Sequence, residues 1–409
     1  MFTRRTVFKT GAACAALAMV GAKARFAYAA LPDDRRFIVV ILRGGLDGLA
    51  AVPAHGDPDY ASLRGSLALP KSGAGAPINL DGFFGLHPAL AHMGEMWSAK
   101  ELAVFHNVAT PYRDRSHFDA QNVLETGGTA AHNLSDGWLN RALSPLGLDA
   151  GGGALAVASS PPLILDGASR VTSWMPSMLP TADEEFMGRV GQLYAKDTVF
   201  SAALKEALAT RATATAAMHD GGDAVLGNVM AQGQGGQYGA LTPLMQGGGK
   251  ILAAADGPRV AVFDVGGWDT HFNQGGGDGQ LARRLGQLDE SMGALKTALG
   301  PVWKKTVIVA ASEFGRTVKV NGTGGTDHGT GGIGFVMGGA VAGGTVHAEW
   351  VGLKPGALKD GRDLPPQTDT RALFKAALLD HLGVPAKVLN DRVFPDSAAA
   401  APLKGLITA

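Results

Sequence analysis

The order of apolar and polar residues sketches the chain before any single residue does. Arg36-Phe37-Ile38-Val39-Val40-Ile41-Leu42 is an unbroken, largely β-branched run of strand length, the pattern of a parallel strand buried on both faces. It stops at a glycine-rich turn, Arg43-Gly44-Gly45-Leu46-Asp47-Gly48. Leu102–Val108, Val260–Phe263 and Thr306–Ala311 are further strand candidates; Ile333–Met337 and Thr345–Glu349 are shorter ones. Gln280–Leu299 predicts an amphipathic helix, because Leu281, Leu285, Leu288, Met292, Leu295 and Leu299 recur at spacings of four and three. Ser116 opens a second helix to about Thr126, with Asp119 in its first turn, where a negative charge suits the helix dipole. Asp183–Ala217 and Thr370–Leu382 also read as helices, and residues 221–250, rich in glycine and glutamine, as a loop or lid. Strands alternating with helices at both ends predict an α/β fold with a mostly parallel sheet. No linker divides the chain, so the expectation is one domain, residues 30–409, with a helical and glycine-rich insertion at about 183–250.

Composition narrows the classes. The 409 residues are 46% hydrophobic and 18% charged, which excludes a disordered chain and provides for a large core. Glycine is 59 of the 409, with no three-residue period, so a collagen-like chain is excluded. Lysine plus arginine and aspartate plus glutamate both number 36, a formal charge of zero. That zero hides an asymmetry. Arg4, Arg5 and Lys9 precede an apolar run from about Gly11 to Gly21, and Ala27-Tyr28-Ala29 has the small residues of a cleavage site. The Arg-Arg pair resembles a twin-arginine export signal over residues 1–29, which implies passage through the twin-arginine machinery to a periplasmic or secreted location. Cleavage after Ala29 would leave 31 basic and 36 acidic residues, net −5, and would remove the lone cysteine, Cys14. A mildly acidic exported protein with no basic stripe is a poor partner for nucleic acid.

In parallel α/β sheets ligands gather at the carboxyl ends of strands. Asp47 follows the first strand candidate; Arg113, Arg115, Ser116 and His117 follow the second. Asp264, Asp269 and His271 follow Val260–Phe263; Glu313 and Arg316 follow Thr306–Ala311; Asp327 and His328 lie in the next loop. Oxygen and imidazole donors thus recur at one predicted sheet edge, and a mature chain without cysteine must build any Zn²⁺ or Mn²⁺ site from them. Taken singly, each residue has a plain alternative. Asp269-Thr270-His271 and Asp327-His328 fit polar loop pairs, Glu313 a partner for Arg316, Ser116 a helix cap and Asp47 a turn former. No G-x-S-x-G or phosphate-loop spacing is present. Six glycines between Gly322 and Gly332 suit either a flexible loop or close backbone approach to a ligand.

Five blocks occur in order: Arg43-Gly44-Gly45-Leu46-Asp47-Gly48, Arg115-Ser116-His117-Phe118-Asp119-Ala120-Gln121, Gly267-Trp268-Asp269-Thr270-His271, Ser312-Glu313-Phe314-Gly315-Arg316-Thr317 and Gly325-Thr326-Asp327-His328-Gly329. Phe84-Gly85-Leu86-His87-Pro88-Ala89-Leu90 precedes the second. From about Arg36 to Asp396 the chain resembles the exported family of domain of unknown function 1501, and through it the alkaline phosphatase and sulfatase superfamily. That resemblance implies a three-layer α/β/α sandwich, a divalent metal, zinc or manganese, and hydrolysis of phosphate or sulfate esters of a small molecule or envelope polymer. It casts Ser116 as nucleophile, Arg115 and Arg316 as holders of the ester oxygens, and Asp47, His117, Asp269, His271, Glu313, Asp327 and His328 as candidate metal ligands. Glu313-Phe314 stands where the superfamily has Asp-His, which motivates the alternative of an inactive relative that binds an envelope polymer or partner.

Overall fold

The computed structural model describes residues 34–150, 152–175, 184–218 and 241–408. The expected export signal, and residues 221–240 of the expected lid, lie outside these. A nine-stranded sheet organises the chain. Its strands are β1 (Arg36–Arg43), β2 (Leu102–Ala109), β3 (Ala154–Val157), β4 (Thr172–Ser173), β5 (Val260–Gly266), β6 (Thr306–Ala311), β7 (Gly332–Met337), β8 (Thr345–His347) and β9 (Thr368–Asp369). Their order is β8-β2-β7-β6-β1-β5-β3-β4, with β9 paired to the end of β2. β7 alone runs antiparallel to its neighbours, β2 and β6. A small hairpin, Ile78–Asn79 with Gly85–Leu86, stands apart.

Both faces of the sheet are covered. On β1, Ile38, Val40 and Leu42 join one core, with Phe37, Val39 and Ile41 in the other. The first core takes Met93 and Met96 of α3 (Ala91–Ser98), Met245 and Leu252 of α8 (Leu241–Ala253), and the leucine stripe of α9 (Gln280–Leu299). The second takes Leu124 of α4 (His117–Thr126), Trp138 and Leu139 of α5 (Trp138–Leu143), and Leu373 and Phe374 of α10 (Thr370–Ala376). Burial on both faces is why β1 reads as a continuous apolar run, without polar alternation. Two short helices, α1 (Gly48–Ala51) and α2 (Tyr60–Arg64), follow the first strand. Among the described residues no helix is long and apolar enough to cross a membrane.

The insertion departs from expectation in two places. The helix expected over Asp183–Ala217 is two helices, α6 (Glu184–Tyr194) and α7 (Thr198–Met218). Asp197 separates them: its carboxylate accepts from the Val199 and Phe200 amides, 2.9 Å each, and so caps a new helix. The described part of the expected lid is not a loop either, because it lies in α8, which buries Gly247-Gly248-Gly249. A Cβ on Gly247 would lie 2.3 Å from the Trp174 ring, and one on Gly248 2.8 Å from the Phe263 ring. Each interior glycine costs a helix about 1 kcal/mol relative to alanine, and here close packing outweighs that cost. Thr345–Glu349 contracts to the three-residue edge strand β8, and Thr370–Leu382 leaves α-helical geometry after Ala376 for a wider turn, Ala377–His381.

The antiparallel β7 has a consequence for chemistry. Its first residues pair with the ends of its neighbours, Gly332 with Val108 and Gly334 with Ala311. Residues 312–331 therefore leave β6 and return to β7 at one edge, the edge where β1, β2 and β5 also end.

A histidine and carboxylate cluster at the sheet edge

Four segments meet at this edge. The β1 turn and the β5 turn are pressed together at Gly44, whose φ is +120°. A Cβ there would lie 2.6 Å from the Asp269 amide nitrogen, so the contact admits only glycine. Trp268, 1% exposed, anchors the β5 turn, with its indole N–H donating to the Val265 carbonyl at 2.9 Å. Asp269 and His271 follow. The β2 segment delivers His117 at the first position of α4, and the 312–331 loop delivers Glu313, Phe314, Arg316, Asp327 and His328.

Three imidazoles converge on one carboxylate oxygen. Nε2 of His271 lies 3.0 Å from Asp269 Oδ1, and Nε2 of His117 and of His328 each lie 3.4 Å from it. The His271 and His328 Nε2 atoms are 2.9 Å apart. His117, Asp269 and His328 offer ligand atoms all within 4.8 Å of one another. The other ring nitrogen of each histidine is engaged by an acceptor. His117 Nδ1 donates to Glu313 Oε1 at 2.6 Å, His271 Nδ1 to Asp327 Oδ1 at 3.3 Å, and His328 Nδ1 to the Arg115 carbonyl at 2.9 Å. Proton placement follows from these partners: a carboxylate or carbonyl oxygen needs a proton at Nδ1, which leaves Nε2 of the neutral ring with its lone pair. Arg115 holds its carbonyl toward His328 from a left-handed conformation, φ +62°, rare for a residue with a side chain. Phe314 packs against the His117 and His328 rings, with centroids 4.7 and 5.1 Å away.

The site therefore gathers lone pairs without a proton between them. His117 Nε2 is buried and has no hydrogen-bond partner, a costly state for a polar atom. Two unprotonated Nε2 atoms at 2.9 Å repel one another. A cation resolves both features. Donors about 2.0–2.1 Å from a tetrahedral zinc ion sit about 3.3–3.4 Å apart, and octahedral neighbours about 2.9 Å, which brackets the spacings found. A histidine whose second ring nitrogen is held by a carboxylate or carbonyl is the usual form of a metal ligand. His117, Asp269 and His328 thus fit a divalent ion, and His271 Nε2, 3.0 Å from Asp269 Oδ1, stands beside them as a further donor.

Charge points the same way. Burial opposes ionisation of Asp269, but the hydrogen bond and charge of Arg316, 2.5 Å away, hold its carboxyl below the usual range. Burial likewise opposes ionisation of Glu313, and the bonds from His117 and Gln121 outweigh it. Asp327 is lowered chiefly by the Asn321 side-chain amide, with His271 adding. Three carboxylates face the Arg316 guanidinium, and the Arg362 charge also acts on Asp327. His117 is pulled down by burial and lifted further by Glu313 and Asp269, ending above its ordinary value; burial pushes His328 below its own.

Several candidates lie elsewhere than expected. Asp47 is not in the cluster. Its carboxylate caps α1, accepts from Arg64 Nη2 at 2.5 Å and from Gln274 Nε2 at 2.7 Å, and is 1% exposed. Glu313 and Asp327 stand behind the imidazoles, at Nδ1, and Glu313 Oε1 also accepts from the Gly44 amide and from Gln121. Arg316 is 2% exposed, with its guanidinium on the carbonyls of Gly44, Gly45, Trp268 and Thr326 and on Asp269. Arg115 directs Nε and Nη2 to Asp363, at 2.9 and 2.6 Å, and Nη2 also to Asp360. Buried acceptors thus claim both guanidiniums expected to hold ester oxygens. Ser116 occupies the cap position of α4, yet its hydroxyl caps no backbone amide. It lies between Arg115 and His117, both of which contact the cluster. Gln121 and Gln274 are additions to the expected set. Gln121 was findable, since it sits four residues after His117 on one helix face.

The fold and the cluster together define an α/β protein with a mostly parallel sheet and a histidine–carboxylate cluster at its carboxyl edge. The chain belongs to the family described as protein of unknown function, DUF1501, whose model matches residues 34–391. Among curated proteins, none matches the chain.

Proposed function

We propose that this protein is an exported, metal-dependent hydrolase of phosphate or sulfate esters, with the alkaline phosphatase and sulfatase fold. One observation carries the proposal: three imidazoles, each with Nδ1 engaged, aim Nε2 at the Asp269 carboxylate. A three-nitrogen, one-oxygen set suits zinc better than manganese. When bound, the ion would polarise an ester oxygen and lower the pKa of a nearby hydroxyl. The chain's own residues supply the rest. Glu313, Asp327 and the Arg115 carbonyl fix the three tautomers. Arg316 fixes Asp269 and adds positive charge beneath the site. Ser116 is the nucleophile: its hydroxyl makes no capping bond and stands at the positive end of a ten-residue helix. Its oxygen bonds to phosphorus or sulfur as the alcohol oxygen departs with a proton, and water then cleaves the seryl ester.

The occupied state of Arg115 and Arg316 favours a second reading, a relative that binds an envelope polymer or partner without turnover. Protein purified without chelator distinguishes the two. The hydrolase reading predicts bound zinc, hydrolysis of aryl phosphate or sulfate esters, and loss of hydrolysis with zinc retained in Ser116→Ala. Zinc retention without turnover supports the binding reading. A metal-free protein indifferent to zinc and manganese overturns the metal centre.

A further inference from the structure

Asp363, the acceptor of the Arg115 guanidinium, holds a second arginine as well. It ends a turn, Lys359–Asp363, closed by two backbone hydrogen bonds between those residues, at 2.9 and 3.0 Å. Asp360, Gly361 and Arg362 in this turn are exposed, whereas the Asp363 side chain is wholly buried. Its two oxygens serve different arginines. Oδ2 accepts from Arg115 Nε and Nη2, at 2.9 and 2.6 Å, and Oδ1 from Arg362 Nε at 3.0 Å. Both arginines then bond to His328. The Arg115 carbonyl accepts from His328 Nδ1 at 2.9 Å, and Arg362 Nη2 donates to the His328 carbonyl at 2.7 Å. One buried carboxylate thus reaches a single residue of the cluster at its ring and at its backbone.

We propose that Asp363 is a positioning residue for the metal centre: by holding Arg115 and Arg362 it fixes the His328 ring and its Nδ1–H tautomer, which leaves Nε2 with a lone pair for a cation. The backbone of Arg115 is the reason a hold is needed. Its φ of +62° is disfavoured for a residue with a side chain and persists only where the surroundings impose it. Two charge-assisted hydrogen bonds to a carboxylate shielded from water impose it. Asp360 also accepts from Arg115 Nη2, at 2.9 Å, but its side chain is 58% exposed, and an ion pair in water contributes little. Asp363 therefore does for His328, through Arg115, what Glu313 does for His117 directly. The inference rests on the metal centre proposed above and adds the residue that presets one of its ligands.

The test reads the imidazole nitrogens themselves, by NMR of the full chain with isotope-labelled histidine, freed of metal and held at about pH 8, where an ordinary imidazole is neutral. Wild type should show His328 protonated at Nδ1. Asp363→Asn and Arg115→Gly should each convert that signal to a mixture of tautomers, while His117, whose acceptor is Glu313, stays as it is. Glycine adopts a positive φ without strain, so Arg115→Gly removes the side-chain anchor and leaves the backbone at ease. Asp360→Ala should leave the His328 tautomer unchanged. Zinc affinity, read by competition with a chelator, should fall about tenfold in Asp363→Asn and in Arg115→Gly. A purely structural role for Asp363 predicts lowered unfolding stability in Asp363→Asn with the His328 tautomer kept. That result, or an unchanged His328 in Arg115→Gly, overturns the proposal. If Asp363→Asn does not fold, Arg115→Gly decides alone. Wild-type protein that binds no zinc fails the metal centre instead, and is told apart because the tautomers are read without metal.

Discussion

Asp47 and Asp269 invite comparison. Both are aspartates in glycine-rich turns, both follow buried parallel strands, and both sit at the carboxyl edge of the same sheet. Asp47 is closed: Arg64 neutralises it, Gln274 and the Ala50 amide fill its remaining acceptor sites, and water is excluded. Asp269 has one guanidinium and three imidazoles around a single oxygen, and its side chain is 45% exposed. The first arrangement is complete in charge and hydrogen bonds. The second leaves unshared lone pairs and a half-exposed carboxylate. Position at a strand end makes a residue available for chemistry; the complement of its partners decides whether it is used.

The comparison breaks most visibly by substitution. Asp47→Ala leaves the Arg64 guanidinium buried without its partner and should cost about 3–5 kcal/mol of stability, measured by urea unfolding, with metal content per folded chain retained. Asp269→Ala should do the reverse, abolishing metal retention with a smaller loss of stability in metal-free protein. If both variants lose metal equally, the division between the two sites is wrong. Next in size, Glu313→Gln removes the carboxylate behind His117 and should weaken metal binding about 10–100-fold, read by competition with a chelator.

A pH effect belongs to the core, away from the cluster. His106 and His381 are buried, donate from Nε2 to the Val52 and Arg36 carbonyls at 2.8 and 2.9 Å, and are pushed down by burial to about 4. Protonation favours the unfolded chain, where the ordinary value is 6.5. Their contribution to stability is therefore full above about pH 6.5 and lost as pH falls toward 4. Each amounts to about 3 kcal/mol at most. Unfolding free energies between pH 7 and 4 should fall in wild type and fall less steeply in His381→Gln; an equal slope contradicts the assignment. The smallest effect expected is on stability in Ser116→Ala, within about 0.5 kcal/mol, because the hydroxyl makes no capping bond.

Much of this was legible in the sequence. The apolar runs of β1, β2, β5 and β6 and the leucine stripe of α9 locate the core, because burial on both faces and helical periodicity leave direct traces in residue order. The recurrence of acids and histidines after strands marks the right edge. Three things did not show. β3 is four residues, Ala154–Val157, and half alanine, with weak strand preference; its place comes from pairing with β5. The glycine triplet of α8 looks like a loop until the Trp174 and Phe263 rings that require it are in place. The roles within the cluster depend on which acceptor faces which ring nitrogen, and that is set by contacts across about 200 residues of sequence, such as Glu313 with His117. Spacing along the chain carries no information about them.

The central claim is that His117, His271, His328 and Asp269 hold a divalent ion. Elemental analysis of the full-length protein, exported and purified without chelator, tests it most directly. The account predicts about one zinc ion per chain in wild type, lost in both His271→Ala and His328→Ala while the chain stays folded. Wild-type protein that is folded, metal-free and unchanged in thermal stability on addition of zinc or manganese would contradict it.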